Sequence, residues 1–177
     1  MLLIILSALV YQNIYARFAP ERVLTALTSS SEQFISNGVF QGGDRTVLES
    51  AIQNIQRQTV KGSHAERFVV QLQQLGQLEK GKAPLLQACP YYQVAIDPDN
   101  RRLSLSIWPQ VADQLQIADL ERQFVKSELI QKILLVPRLE NEIWSLVFEL
   151  KKTIEIQVYE QPSAQKIIIE ARPLFGN

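Results

Sequence analysis

Two stretches of the chain alternate apolar and polar residues. In YYQVAIDPDNRRLSLSIW, Tyr92, Val94 and Ile96 are separated by more polar neighbours, as are Leu103, Leu105 and Ile107. DPDNRR between them supplies residues that tolerate tight backbone geometry, so the spacing predicts a β-hairpin ended by Trp108 and Pro109. TIEIQVY and KIIIEA flank EQPSAQ in the same way. They predict a second hairpin, with Ile154, Ile156 and Val158 on one strand face and Ile167, Ile169 and Ala171 on the next.

Elsewhere the apolar residues recur at three and four positions, the period of an amphipathic helix. Pro20 and Glu21 suit a first turn, Val23, Leu24, Leu27, Phe34 and Ile35 share a face, and Asn37-Gly38 supplies a stop. Asp44 is placed to cap a second helix with Val47, Leu48, Ala51, Ile52 and Ile55 inward. Ser63 and Glu66 have capping-box spacing, which opens a third helix to about Glu79 carrying Phe68, Val69, Leu72 and Leu75. Residues 113–134 predict another, with Leu115, Ile117, Leu120, Phe124, Leu129 and Ile133. Over 139–150 two patterns compete. Ile143, Leu146, Val147 and Leu150 share a helix face, whereas Trp144, Leu146 and Phe148 alternate with their neighbours as in a strand. The expected fold class is α+β: an N-terminal apolar segment and helices, then a small antiparallel sheet of two hairpins with helices on one face. Residues 1–18 would be an apolar anchor or buried helix, 19–82 a helical region, and 90–177 an α+β sheet domain.

The opening MLLIILSALVYQNIYARF is apolar on every side of a helix up to Tyr11. Such a segment belongs in lipid, in a partner or in the centre of a fold. Residues 1–16 as a helix cover about 24 Å, short of the ~20 residues that span a bilayer. A signal peptide fits poorly, because no basic region precedes the apolar run. Membrane insertion through residues 1–16 is the preferred expectation, giving a single-pass protein with no side of the membrane assigned. An internal or oligomer-buried helix is the alternative.

Composition narrows the function classes. The 177 residues are 46% apolar and 20% charged, with 18 basic and 18 acidic side chains. A neutral chain whose cations come singly or in pairs lacks the surplus that displaces counterions from nucleic acid, so no nucleic-acid partner is expected. One cysteine, Cys89, rules out an internal disulfide and a cysteine-rich zinc site. One histidine, His64, lies in SHAE, where an exposed position accounts for it better than a catalytic one. Glutamine is the oddity: there are 20, clustered in QNIQRQ and QLQQLGQ. They read as polar faces of helices that touch other helices.

Candidate chemistry is sparse. GVFQGGDRT has two glycines at phosphate-loop spacing, but Asp44 and Arg45 replace the Lys and Ser or Thr that such a loop needs, so it reads as a turn between helices. DPDNRR lacks the further oxygens of a calcium loop. Glu140 with Glu142, and Ser127 with Lys132, have no context for acid–base or nucleophilic work. Tyr91, Tyr92, Trp108, Trp144 and Tyr159 form a possible pocket or interface set. No catalytic residue, cofactor or metal site is assigned. The expected function is a non-enzymatic, membrane-anchored scaffold or assembly subunit acting by protein–protein contacts. Its partners would be other protein subunits or a second copy, with membrane lipid along residues 1–16. The alternative is a soluble α+β ligand-binding or sensor domain with an aromatic-lined pocket.

Overall fold

The computed structural model describes residues 26–28, 33–45, 50–74, 89–108, 115–138 and 143–174. In chain order these form β1 (Ala26–Thr28), β2 (Gly38–Gly42), β3 (Ser50–Thr59), β4 (Glu66–Gln74), β5 (Tyr91–Asp97), β6 (Arg102–Trp108), α1 (Ile117–Phe124), β7 (Ile130–Arg138), β8 (Ile143–Leu150), β9 (Ile154–Gln161) and β10 (Lys166–Pro173). A six-stranded sheet runs β1-β2-β5-β6-β8-β7, and a four-stranded sheet runs β3-β4-β10-β9. All pairings are antiparallel except β1 with β2. One apolar core lies between the sheets, filled by Tyr92, Val94, Leu105, Leu146 and Phe148 from the larger and by Ile55, Phe68, Val70, Ile156 and Ile169 from the smaller. The architecture is a β-sandwich.

The α+β expectation is therefore corrected: the described chain is mostly strand, with one eight-residue helix. Two β-bulges explain much of the error. In β3 the register shifts between Ile52 and Asn54, so the buried Ile52 and Ile55 stand three residues apart instead of two. In β7 the shift between Ile130 and Lys132 does the same to the buried Ile130 and Ile133. An extra residue in a strand moves the alternation by one, and three-residue spacing then imitates a helix. In β4 the true inward set is Phe68, Val70 and Leu72, spaced by two; Val69 lies on the outer face yet is nearly covered. Over 143–150 the strand pattern prevails, with Leu146, Phe148 and Leu150 inward. Ser63 caps no helix: its hydroxyl accepts from Ala65 N–H in the turn between β3 and β4. Of the residues expected as the first helix, Ala26–Thr28 is a strand and Ile35 bridges Ile156 at the β9 edge.

The two hairpins form, but in different sheets. β5 pairs with β6 from Tyr91↔Trp108 to Asp97↔Arg102, and β9 pairs with β10 in the other layer. The DPDNRR turn is held by Asp97, whose Oδ1 accepts from Asn100 N–H at 3.1 Å, and Arg101 takes the left-handed conformation at φ 50.

The expected transmembrane helix finds no support in the described structure. Among the described residues no helix is long and apolar enough to cross a membrane. Residues 1–16, on which the membrane reading rested, lie outside the described residues.

Away from the core, Ser106 of β6 faces Ser145 of β8, their hydroxyls 2.7 Å apart and both almost fully buried. Truncating either one leaves the other without its partner. Ser106→Ala alone is expected to cost roughly 1–3 kcal/mol, and Ser106→Ala with Ser145→Ala markedly less than the sum of the singles. Urea unfolding of the cycle reads this coupling, and additive singles would refute it.

Candidate functional site

The two glutamine runs are neighbouring strands. QNIQRQ lies in β3 and QLQQ in β4, paired antiparallel with Asn54 opposite Gln71 and Gln56 opposite Val69. Because side chains alternate across a strand, Asn54, Gln56, Gln58 and Gln71 share the outer face of the smaller sheet while Ile55 and Val70 fill the core. The cross-strand row continues from Gln71 to Lys166 of β10 and Gln161 of β9. The next row runs Gln56, Val69, Ile168, Tyr159. Over this face lies an open groove of about 480 Å³ lined by Gln53, Asn54, Gln56, Val69, Gln71 and Lys166.

A second cleft, about 210 Å³, adjoins it between β3 and α1, lined by Gln53, Asn54, Leu115, Gln116, Asp119, Leu120 and Gln123. Gln53 and Asn54 belong to both, because the bulge of β3 falls there and turns adjacent side chains to the two sides. Among the described residues β3 pairs with β4 alone, so its other edge faces this cleft. α1 runs beside that edge. Its start shares the cleft with Asn54, and Phe124 at its end packs 5.2 Å from Phe68, whose cross-strand partner is Arg57. Leu120 and Phe124 anchor the helix in the core. Asp119 is ion-paired with Arg122 one turn on, so its charge is already met within the helix.

The far end of β3 is closed by a different arrangement. Glu66, 2% exposed, accepts four hydrogen bonds: from Arg57 Nε at 2.9 Å and Nη2 at 3.0 Å, from Ser127 Oγ at 2.6 Å and from Glu128 N–H at 2.7 Å. Burial pushes the Glu66 carboxyl up, but these donors outweigh it and hold the group below the ordinary carboxylate range. Ser127 in turn accepts from Leu129 and Ile130 N–H, which ties the loop after α1 into β7. A carboxylate so saturated is a structural clamp.

Of the aromatic residues expected at a pocket or interface, Tyr91 and Trp108 are brought together, while Tyr92 and Tyr159 lie apart from them. Tyr91 and Trp108 are cross-strand partners in the larger sheet, with ring centroids 5.3 Å apart, and Arg45 lies 4.5 Å over the Tyr91 ring. Tyr92 points the other way, into the core, and donates to Glu160 Oε1 at 3.1 Å. The same oxygen accepts from Gly43 N–H at 2.9 Å. Burial, reinforced by the Glu160 charge, holds the Tyr92 phenol far above its usual range, and pushes the adjacent Cys89 thiol up to about 12. Cys89 is thus protonated and inert. Gly43 sits at φ +74 against the Pro90 carbonyl, a conformation and an approach that exclude a side chain. GVFQGG is accordingly strand β2 followed by this turn, rather than a connection between helices. Tyr159 stands on the outer face of the smaller sheet beside Ile168. Trp144 lies in β8 opposite Pro137. His64 is exposed, 3.6 Å from Glu128. No group of three or more potential metal ligands occurs among the described residues.

Comparison of the chain with protein-family models, curated proteins and solved structures returns no match. Of the groove and cleft residues, Gln53, Asn54, Gln56 and Gln71 lie in the two glutamine clusters that the sequence marks as contact faces, whereas Gln116 and Gln123 are not marked by it. The glutamine excess was their signal, assigned to the wrong secondary structure.

Proposed function

We propose that this chain is a non-enzymatic protein-interaction module that receives an extended polypeptide segment along the edge of β3 that no strand among the described residues pairs with. The observation that carries this reading is the cleft between the singly paired edge of β3 and α1. An unpaired edge offers a row of backbone donors and acceptors to another strand, and β-strand addition is a common mode of peptide recognition. A helix beside the edge supplies the second wall. The groups of catalytic type support binding over chemistry: Glu66 is saturated by four donors, and Cys89 is held as a thiol.

Selection of short random peptides on the chain, followed by amide chemical-shift mapping, tests this. The strongest binders are expected to shift the amides of β3 and α1. Placing lysines at the edge with Gln53→Lys and Asn54→Lys should weaken those binders at least tenfold with little change in melting temperature, because Gln53 is exposed and Asn54 is only partly covered. Binders that map to another face, or that ignore the double variant, would overturn the assignment.

A further inference from the structure

The groove on the outer face of the smaller sheet is distinct from the cleft beside α1 that it adjoins, and its lining defines a ligand chemistry of its own. Its floor is Val69, only 8% exposed, and its sides are Gln53, Asn54, Gln56, Gln71 and Lys166. The strands beneath are paired with one another, β3 to β4 and β4 to β10, so their facing backbone groups are committed to the ladders. A ligand lying across them is therefore read by side chains. Apart from Lys166 the polar groups are all amides. An amide carries donor and acceptor side by side and can hold two neighbouring hydroxyls of a ligand at once. Gln71 is set for this role: its Nε2 donates to the Ala164 carbonyl at 3.0 Å, which fixes the amide and leaves Oε1 to accept from a ligand. Lys166 adds an ammonium donor on the next strand.

At about 480 Å³ the groove has the size of a small-ligand site, but most such sites are apolar with a few polar groups. This lining is the reverse, and its match is a ligand with a hydrogen-bonding group on nearly every carbon. A pyranose ring has that density, with hydroxyls around its rim and C–H groups on its face, as the groove has amides around an apolar floor. The row that holds Gln56 and Val69 continues through Ile168 to Tyr159, three strands and about 14 Å away. A chain of sugars laid across the strands would meet that half-buried aromatic ring at its far end, where a C–H face can stack.

We propose that this groove binds a linear oligosaccharide, its chain lying across the strands from Gln56 towards Tyr159. Chemical-shift mapping of the full chain with cellohexaose, maltohexaose, chitohexaose and hexagalacturonate tests this. At least one is expected to bind saturably, with Kd below about 1 mM, and to shift the side-chain amide signals of Gln56 and Gln71, which line the groove and not the cleft. The Gln56→Leu, Lys166→Met double variant should weaken that binding about tenfold, the scale for losing two hydrogen bonds, with little change in melting temperature. No saturable binding by any of the four would overturn the proposal, as would shifts confined to another face or a double variant that binds as tightly as the native chain. Peptides selected on the chain that shift Gln56 and Gln71 where no sugar does would overturn it in favour of a wider peptide site. Strand addition at the cleft stands or falls separately, on where its own peptides map.

Discussion

Glu66→Ala is expected to destabilise the chain by about 3–5 kcal/mol, the scale for removing one partner of a buried ion pair. For a domain of this size that lowers the melting temperature by roughly 6–20 °C. The loss is large because Glu66 is the hub: its removal leaves the Arg57 guanidinium, the Ser127 hydroxyl and the Glu128 N–H without their common acceptor. Arg57→Met should cost less, since Ser127 and Glu128 still hold the carboxylate. The pH dependence has a definite sign. The four donors keep the folded-state pKa of Glu66 below its unfolded value, so its contribution is complete above the unfolded carboxylate pKa of about 4.3 and is lost as pH falls through the folded value. The stability gap between the native sequence and Glu66→Gln should therefore be widest near neutral pH and shrink in acid. Urea unfolding at pH 7 and at pH 3 measures this, and a gap that does not narrow would refute it.

Phe68→Ala is expected to cost about 3–5 kcal/mol by opening a cavity where three rings meet. Phe68 is fully buried, 5.2 Å from Phe124 of α1 and 5.8 Å from Phe148 of the opposite sheet, and those two rings are 5.6 Å apart. One side chain thus joins three elements: β4, α1 and β8. Its loss should act on the helix beyond the global effect. Native-state hydrogen exchange in Phe68→Ala should show α1 amides exchanging faster relative to those of β10 than in the native sequence. Uniform acceleration of both would mean that the ring fills space without fastening the helix.

The legible parts of this fold are the parts with unbroken alternation. β5 and most of β9 alternate buried with half-buried residues, and their partners β6 and β10 keep an unbroken antiparallel register with them, each hairpin closing over a short turn that contains Asp, Asn or Pro. What could not be read was which hairpin joins which sheet, because sheet membership depends on pairing with β4 and β2, far away in the chain. β3 and β7 failed for a different reason. Each carries a bulge, and a bulge erases the period that identifies a strand. Val69 compounded the error in β4, since it is nearly as covered on the outer face as the residues in the core. For the site the signal was present in composition. Twenty glutamines are too many for chance polarity, but only the pairing of β3 with β4 shows that two runs of them make one surface.

The order of strands in the smaller sheet has a kinetic consequence. β10 is not an edge there; it lies between β4 and β9, and its Glu170 ion-pairs with Arg67 across 103 residues of chain. β3 and β4 therefore wait as a lone hairpin until the long stretch of chain up to β10 has been made, and a two-stranded ribbon is marginal in water. Pairings so distant in sequence close slowly, because the loop entropy is lost before any contact compensates it. During synthesis the apolar inner face of that hairpin, with Ile55, Phe68 and Val70, needs cover from something other than its final neighbour.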